Sequence, residues 1–293
     1  MLAVEYALTR APVNEDQRDE DACGETDVGN RLKALKQRVP LAQARLARMG
    51  QTWSQMVDRG RAPPAASCTP INRAYHKMRE MMWSCALVTP ERSVHLCEAP
   101  GGFVQAAAET APPTWEWRAL TIESGPAPAT SQLPPGGRFV FADVHTAERS
   151  VLCDDEGWAS LVTADGAREM DHDRLEEEHL PLLHAQTDLG LACLAKGGVM
   201  LVKFFEGMDV RTQTWIALLT TRFDTVALIK PHTSRPTNSE RYLIARGFGG
   251  DRTPLPRAVR VCQAWRDASL LPVLERMALA QADALAAALG RVP

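Results

Sequence analysis

The amino-acid sequence predicts an α/β fold in which helices cover both faces of a largely parallel sheet. With 293 residues, of which 45% are hydrophobic and 24% charged, the chain can bury one large core. Short apolar runs alternate with helix-length segments, which is typical of βαβ units. The apolar run at 94–97 leads through Pro100-Gly101-Gly102 into an Ala-rich segment, and this pattern indicates a buried strand that turns into a helix.

The segments before this turn differ in charge. Residues 1–30 are acidic and lack periodicity, so we expect a flexible arm. Residues 31–61 contain eight Lys or Arg and a single acid, Asp58, and form a basic helical extension in this interpretation. Within it, apolar residues recur at helical spacing and predict an amphipathic helix over 41–57. A second helix is predicted over 72–87, after a Pro- and Ala-rich connection.

The rest of the chain predicts strands that alternate with helices. A long helix over 182–196 should end at Gly197-Gly198, which is a typical C-terminal stop. Two further helices are predicted over 210–221 and 270–289. The seven predicted strands cover 94–97, 117–122, 138–142, 159–164, 199–204, 225–229 and 241–245.

Composition excludes several classes of protein. The seven cysteines form no C-x-x-C pair, so neither a disulfide framework nor a metal site is expected. No apolar run approaches the roughly 18 residues of a membrane span, and no signal peptide is evident. We expect an intracellular protein without a membrane partner. The sequence does not decide between the nucleus and the cytoplasm, and a viral protein that acts in a host cell is a further alternative. The expected organisation is a core domain over 62–262 and a C-terminal helix over 263–293.

The charge pattern bears on nucleic-acid binding. A formal net charge of −3 argues against indiscriminate binding to nucleic acid. The basic segment 31–61 could still neutralise phosphates. A solvated helix face is the alternative, and the sequence does not separate the two.

The glycine turn and the strand ends form a candidate ligand site. In open α/β sheets, ligands bind beyond the carboxyl ends of the strands. Gly101 and Gly102 lack Cβ atoms, so a ligand can approach the main chain and the first N–H groups of the new helix. Glu123, Asp143 and Asp165 each follow a predicted strand and could accept hydrogen bonds from a nucleotide. A tight turn without ligand, and helix-capping carboxylates, are the alternatives.

A lysine inside an apolar strand is the anomaly of the sequence. Lys203 stands in Leu201-Val202-Lys203-Phe204, and lysine is almost never fully buried without a partner. It therefore either extends its amine to solvent at the strand end or is held there for chemistry. Lys77, Asp165 and Glu240 lie on three other elements that the predicted sheet would bring near it.

These motifs together resemble the FtsJ-like RNA ribose 2′-O-methyltransferases. All four contexts of that family's Lys-Asp-Lys-Glu tetrad occur in order, and the resemblance covers roughly residues 72–248. The stretch His95-Leu-Cys-Glu-Ala-Pro-Gly-Gly-Phe103 looks like the methyl-donor turn of the eukaryotic and viral mRNA cap branch. Asp165-Gly166-Ala167 also resembles that branch, since the ribosomal-RNA branch usually has Asp-Met-Ala-Pro. His95 departs from the pattern, because many members have an acid there.

The resemblance implies a Rossmann-like, S-adenosylmethionine-dependent methyltransferase fold with a seven-stranded sheet and helical additions at both ends. It implies Lys77, Asp165, Lys203 and Glu240 as catalytic residues. Residues that flank the tetrad in sequence should contact the RNA backbone, namely Arg73, His76, Arg79, Arg235 and Ser239. The implied cofactor-binding residues are Glu98, Ala99, Pro100, Gly101, Gly102, Phe103, Glu123, Asp143 and Asp165.

The tetrad makes physical sense for this reaction. A ribose 2′-hydroxyl is a poor nucleophile and must lose its proton as it attacks, so a base has to lie within hydrogen-bond reach. A free lysine is almost wholly protonated at neutral pH, so Lys203 needs burial and the positive charge of Lys77 to act as that base. The expected substrate is capped mRNA, with capping or transcription proteins as further partners. Ribosomal or transfer RNA, and a non-catalytic RNA-binding scaffold, remain alternatives.

Overall fold

The main sheet has eight strands among the residues that the structure describes. The computed structural model of the chain describes residues 5–14, 27–58, 66, 68–87, 89–168, 174–257 and 259–292. Two short strands, β2 (Val13–Asn14) and β10 (Arg260–Val261), pair separately. The main sheet consists of β1 (Glu5–Leu8), β3 (Arg92–Leu96), β4 (Glu116–Thr121), β5 (Gly137–Phe141), β6 (Ala159–Ala164), β7 (Leu194–Phe205), β8 (Phe223–Ile229) and β9 (Glu240–Phe248).

Helices pack on both faces of this sheet. No helix among these residues is long and apolar enough to cross a membrane. The helices are α1 (Asp27–Gln37), α2 (Val39–Arg48), α3 (Trp53–Asp58), α4 (Arg73–Ser84), α5 (Gly102–Ala107), α6 (Leu175–Cys193), α7 (Val210–Arg222), the single turn α8 (Gln263–Trp265) and α9 (Leu271–Leu289).

The strand order places the ligand-binding edge. Along the sheet the order is β1, β8, β9, β7, β6, β3, β4, β5. Strands β3 to β7 are parallel, whereas β9 runs antiparallel to both β7 and β8. The chain builds outward from β3 to β5 and then returns to β6 on the other side of β3. The order therefore reverses between β3 and β6, where open α/β sheets bind ligands.

The predicted strand count was wrong by one, and residues 5–8 of the predicted acidic arm form a strand, whereas residues 15–26 of that arm lie outside the described residues. All seven predicted strands are present, and the eighth is β1, from the segment expected to be an acidic arm over 1–30. β1 pairs antiparallel with β8, from Glu5 opposite Ile229 to Leu8 opposite Val226. Its four residues were too short a run to show alternation. Pairing with the edge of β8 stabilises β1 as a strand, although the sequence of β1 carries no strand pattern of its own.

Two predicted helix boundaries also differ from the structure. The helix predicted over 41–57 is two helices, because Gly50 adopts a left-handed conformation (φ 69°) and ends α2. The helix predicted over 182–196 ends at Cys193, and Gly197-Gly198 lie inside β7 rather than after the helix. Asn72 caps α4 as its side chain accepts the Ala74 N–H at 3.0 Å.

Two apolar cores enclose the sheet. On one face α4 and α5 pack through residues such as Met78 and Phe103 against β7 and β9. On the other face α6, α7 and α9 pack against the sheet with Leu183, Trp215 and Leu274. The carboxyl ends of the parallel strands lie between these layers, and the tetrad is formed there by residues of α4, β7 and β9 and by Asp165, which follows β6.

Candidate active site

Four elements bring the predicted catalytic residues together. Lys77 lies on α4, Asp165 follows β6, Lys203 is near the end of β7, and Glu240 begins β9. The antiparallel register of β7 and β9 sets Lys203 opposite Tyr242, two residues from Glu240. Since residues two apart in a strand share a face, this ladder puts the amine and the Glu240 carboxylate on the same side, under α4.

The four charges alternate in sign. The Lys203 Nζ lies 3.1 Å from Asp165 Oδ1 and donates to the Asp165 main-chain oxygen at 2.6 Å. The Lys77 Nζ lies 3.9 Å from Asp165 Oδ2 and donates to Glu240 Oε2 at 2.9 Å. The side chains are between 6% and 13% exposed. Such a partly buried chain of opposite charges is stable because each ion has a partner.

Electrostatic interactions keep Lys77 and Glu240, the pair at one end of this row of alternating charges, in their ionised forms. Burial acts to lower the pKa of Lys77, but the charges of Asp165 and Glu240 outweigh it and raise that pKa above its ordinary value. Burial acts to raise the pKa of Glu240, but the charges of Lys77, Lys203 and Lys230 bring it down to about 2. Lys77 is therefore a lasting positive charge near Asp165, and it is not a candidate base.

Three residues that sequence reasoning missed support the tetrad. The Tyr242 hydroxyl donates to Asp165 Oδ1 at 2.8 Å, and its place two residues after Glu240 could have indicated it. Ser234 donates to Glu240 Oε1 at 2.9 Å, and Lys230 donates to the Glu240 main-chain oxygen at 2.6 Å. The latter two lie in a loop, where no periodicity pointed to them.

The position of Lys203 suits proton abstraction. Asp165 offers two oxygen atoms near Nζ: the main-chain oxygen, which accepts a hydrogen bond at 2.6 Å, and Oδ1, which lies 3.1 Å away. These two contacts fix the direction of the amine, as is required of a group that is to take the proton of a hydroxyl. Asp165 therefore orients the amine as well as compensating its charge.

The glycine turn is built differently from the prediction. Glu98 is buried, and its Oε1 accepts the N–H groups of Phe103 at 2.7 Å and Val104 at 3.2 Å. The N-terminal donors of α5 are thus partly used within the protein. Burial, and next the charge of Asp165, raise the pKa of Glu98 to about 8. Glu98 lies beside the cleft as expected, but in the described contacts it caps α5.

Gly102 and Phe103 face the protein rather than the cleft. A Cβ on Gly102 would lie 2.1 Å from Asn72 Oδ1 and 2.9 Å from Tyr75 N, so this glycine allows α4 to approach α5. Phe103 is fully buried and its ring lies 6.1 Å from that of Tyr242. The predicted direct contact of the Phe103 side chain with a cofactor is therefore not supported, because packing under the tetrad takes its whole surface.

The ends of β4 and β5 offer surface that fits a nucleoside. Glu123 and Asp143 are exposed there, and Asp143 Oδ1 accepts the His145 N–H at 2.9 Å, which orients the carboxylate. Ile122 and Phe141, missed in the sequence, are 46% and 52% exposed beside them. Exposed apolar side chains flanked by carboxylates suit a flat base and a ribose diol. Ala99 and Pro100, in the turn, are partly exposed, whereas Gly101 is buried.

His95 has a structural role. It is fully buried in β3, with Nδ1 2.8 Å from Thr163 Oγ1 and Nε2 2.9 Å from Ser93 Oγ. Trp115 Nε1 donates to the same Ser93 hydroxyl at 2.9 Å. Burial lowers the pKa of His95 to about 3, so it is neutral and links β3 to β6. Both ring nitrogens of this histidine, which stands where many family members have an acid, therefore have partners inside the sheet.

Of the predicted RNA-binding residues, three lie on or beside the first turns of α4, whereas Arg79 and Ser239 each bind a glutamate. Arg73 and Arg235 lie together at the N-terminal end of α4, where both bind Asp58, and His76 is half-buried on the same helix. Arg79 pairs with the Glu109 carboxylate at 2.8 Å. Ser239 is only 7% exposed, and its hydroxyl donates to Glu206 at 2.7 Å. A direct RNA contact by Ser239 is not supported, because α9 and the loop after β7 cover it.

A large cavity lies away from these groups. It has a volume of about 1010 Å³, lies between α6 and α7, and is lined by residues such as Leu180, Thr214 and Arg257. Its lining includes none of the predicted catalytic or cofactor-binding residues. The candidate site is therefore the open edge of the sheet and not this cavity.

Comparison with known proteins agrees with the site. The sequence model of FtsJ-like methyltransferases matches residues 70–248. A Drosophila melanogaster protein named cap-specific mRNA (nucleoside-2′-O-)-methyltransferase 2 is 28% identical in an alignment of length 267 that covers 77% of this chain. The chain spans only 38% of that relative's length.

Two further similarities concern a bacterial methyltransferase and a solved structure. Ribosomal RNA large subunit methyltransferase E of Nitratidesulfovibrio vulgaris is 31% identical over 159 residues, 52% of this chain and 75% of that protein. A solved structure from Streptococcus thermophilus, described as a hemolysin, has a TM-score of 0.50 at 11% identity, over 75% of this chain and 76% of that one, and shares the fold alone. Because the family match contains the whole tetrad and covers more than half of the sequence, the chain belongs to the FtsJ-like methyltransferase family.

Proposed function

We propose that this chain transfers the methyl group of S-adenosylmethionine to a ribose 2′-hydroxyl of RNA, at the first nucleotides after the cap of mRNA. The assembled tetrad carries the proposal. Two lysines and two carboxylates, each within 4 Å of an oppositely charged neighbour and 6–13% exposed, are an expensive arrangement for a scaffold that only binds RNA. Enzyme family membership and the tetrad support catalysis over a purely structural role.

Each residue of the tetrad has a distinct part in the proposed reaction. Lys203 accepts the proton of the 2′-hydroxyl as that oxygen attacks. Asp165 holds the amine through its main-chain and side-chain oxygens, and Tyr242 fixes the carboxylate. Lys77 stabilises the negative charge that develops on the nucleophile, because its own amine stays protonated. Glu240 anchors Lys77.

The carboxyl ends of β3, β4 and β5 have the chemistry to hold the methyl donor. When bound, S-adenosylmethionine supplies an electrophilic methyl group on a sulfonium. Ile122 and Phe141 would contact its adenine, and Asp143 would accept from its exocyclic amine. Glu123 would bind the ribose diol. Glu98 and the Gly101 turn would lie next to the methionine part.

Two kinds of RNA remain as substrates, and the cap reading is preferred. The motifs at 95–103 and 165–167 resemble the cap branch, and the Drosophila relative carries a cap-specific name. Ribosomal RNA is the second candidate. It is favoured by the bacterial relative, of which this chain spans 75%.

Methyl transfer from labelled donor to matched transcripts tests the proposal. One transcript carries a cap and the other, of the same sequence, a 5′ triphosphate, with a deproteinised ribosomal RNA as the third substrate. We expect label on the capped transcript alone, at a ribose 2′-oxygen of an early nucleotide. Equal labelling of the capped and uncapped transcripts would overturn the cap reading, and labelling of ribosomal RNA alone would favour the second candidate. The absence of label with every RNA would contradict methyl transfer itself.

A further inference from the structure

Asp58, the last residue of α3, joins two arginines from distant parts of the chain. Arg73 Nη1 and Arg235 Nη2 both donate to Asp58 Oδ2 at 2.8 Å. Arg235 Nε lies 3.2 Å from Oδ1 and 3.1 Å from Oδ2 of the same carboxylate. Two guanidinium groups are thus fixed by one carboxylate, Arg235 through the two-pronged geometry that arginine forms with carboxylates and phosphates and Arg73 through a single hydrogen bond.

The two arginines border the tetrad. Arg73 precedes Lys77 by one turn of α4, about 5.4 Å along the helix axis. Arg235 follows Ser234, whose hydroxyl donates to Glu240. Arg73 Nη2 also reaches the main-chain oxygen of Thr233 at 3.4 Å. The arginine pair therefore lies beside the position where the reacting ribose would have to sit.

Both arginines keep donors for a ligand. Arg73 and Arg235 have side chains that are 53% and 31% exposed, whereas that of Asp58 is 25% exposed. Arg73 Nε and Arg235 Nη1 have no hydrogen-bond partner among the described residues. Two positive groups and one negative group leave a net positive charge. An anion can therefore bind without displacing Asp58.

Asp58 is itself held by the helix that carries it. Thr52 and Gln55 exchange hydrogen bonds at the start of α3, at 2.9 Å and 3.1 Å, as in a capping box. Met56 and Val57 are buried in a small core with Leu46 and Ala288. The carboxylate at the end of this anchored turn thus has a defined position.

We propose that Asp58 is a positioning residue that holds Arg73 and Arg235 as a clamp for an RNA phosphate next to the reacting ribose. The inference rests on the proposed function, because RNA is the ligand of the clamp. It assigns a role to the one acid of the basic segment 31–61. It also makes that segment part of the substrate cleft.

Replacing Asp58 with Asn in the full chain tests the clamp. The probe is a short capped transcript, with binding followed by fluorescence anisotropy and methyl transfer by steady-state kinetics. We expect the KM and the dissociation constant for RNA to rise about three- to tenfold, with kcat and donor affinity unchanged. Loss of one ordered phosphate contact should also make the salt dependence of binding shallower by about one in log–log slope. Asp154→Asn, which breaks the Arg118–Asp154 pair on the far side of the sheet, is the matched control.

A mutant cycle decides whether Asp58 acts through the two arginines. In an Arg73→Ala/Arg235→Ala background, where neither arginine remains for Asp58 to hold, Asp58→Asn should have little further effect on RNA binding. Equal effects in both backgrounds, an unchanged KM, or tighter RNA binding by Asp58→Asn would each overturn the proposal. If Asp58→Asn does not fold, Arg235→Lys gives a second test, because lysine keeps the charge but loses the fork and should reproduce the rise in KM. Binding is measured apart from methyl transfer, so failure of the clamp and failure of the proposed function are distinguishable.

Discussion

Lys203 combines burial with one hydrogen bond and one ion pair to the same aspartate. Its amine is directed at Asp165 by the main-chain oxygen at 2.6 Å and by Oδ1 at 3.1 Å. The Asp165 carboxylate lies between the amines of Lys203 and Lys77, and Lys77 also pairs with Glu240. The roles of the two lysines thus follow from their partners, since one is oriented for proton transfer and the other is bound as a permanent cation.

Replacement of Lys203 with Arg should abolish chemistry and preserve binding. A guanidinium stays protonated and cannot accept the 2′-hydroxyl proton. We expect the single-turnover rate of methyl transfer to fall by about 10² to 10⁴, with donor and RNA affinity within a few-fold of wild type. Lys196→Arg, an exposed position of the same strand, is the matched control. A Lys203→Arg rate near that of wild type would move the base role to another group.

Glu98 should make stability depend on pH in a recognisable direction. Burial raises its pKa from 4.5 to about 8, so between these values the folded protein binds more protons than the unfolded chain. The free energy of unfolding therefore decreases as the pH rises from about 4.5 to 8. Glu98→Gln cannot titrate, and its amide oxygen can still accept the two N–H groups at α5. Urea unfolding across this range should show a smaller decrease for the variant than for wild type.

A matched change at an exposed acid controls for general charge effects. Glu123→Gln, at the end of β4, should leave the pH dependence of wild type unchanged. Identical pH dependence in wild type and Glu98→Gln would contradict the assignment. Glu176, whose pKa burial raises to about 7, contributes in the same direction in all three proteins.

Sequence alone could predict the tetrad but not its supports. Lys203 was conspicuous because it interrupts an apolar strand, and the family resemblance supplied its three companions. Ser234 and Lys230 carry no such signal, since they reach Glu240 from an irregular loop. Glu98 and Phe103 were expected at a cofactor, and their mutual hydrogen bond depends on a turn geometry that no pattern encodes.

At the level of elements, the contact between α4 and α5 positions Lys77. Gly102 lies where any side chain would collide with Asn72, the cap of α4, and with the main chain of Tyr75. The absence of a Cβ lets the helix that carries Lys77 and Arg73 pack close to the glycine turn. The contact at Gly102 thus sets how closely α4 approaches α5.

Gly102→Ala should therefore impair both stability and catalysis. A Cβ 2.1 Å from Asn72 Oδ1 and 2.9 Å from Tyr75 N forces α4 outward, at a cost of about 1–3 kcal/mol. The shift moves Lys77, so we expect a lower melting temperature together with a lower single-turnover rate. Gly290→Ala, where the added carbon would meet only ordinary contacts of 3.5 Å or more, is the control. A variant as stable and active as this control would disprove the packing role.

Hydrophobic periodicity predicted the strands of the parallel core, but it did not predict β1 or the end of α6. The strands of the parallel core were predictable because they are buried apolar runs between turn residues. The strand β1 was not, because its alternating exposure over four residues becomes visible only once β8 offers an edge to pair with. The misplaced end of α6 has a similar cause, since a glycine pair can stop a helix or kink a strand.

Across the whole molecule, the two terminal additions are part of one packed body. α1 packs on α9 with Leu32 against Ala278, Ala282 and Leu285. The main core extends into α9 through Leu274. The helix predicted over 270–289 thus packs as part of the layer that covers β7.

Leu274→Ala and Leu279→Ala form a matched pair on α9 that tests this continuity. Leu274 is fully buried and Leu279 is 40% exposed. We expect the first change to lower the free energy of unfolding by about 2–5 kcal/mol and the second by much less, in a single cooperative transition. Equal effects, or a separate early transition for α9, would show that the helix is only loosely attached.

Contacts within the folded chain hold the tetrad together, and this has a thermodynamic consequence. Holding a lysine side chain in one rotamer costs about 2 kcal/mol of conformational entropy, and Lys203 loses that freedom when the chain folds. Little ordering of the amine then remains for the approach to the transition state. We infer that the activation entropy of the chemical step is small, so that the temperature dependence of its rate reports mainly the enthalpy of bond making and breaking.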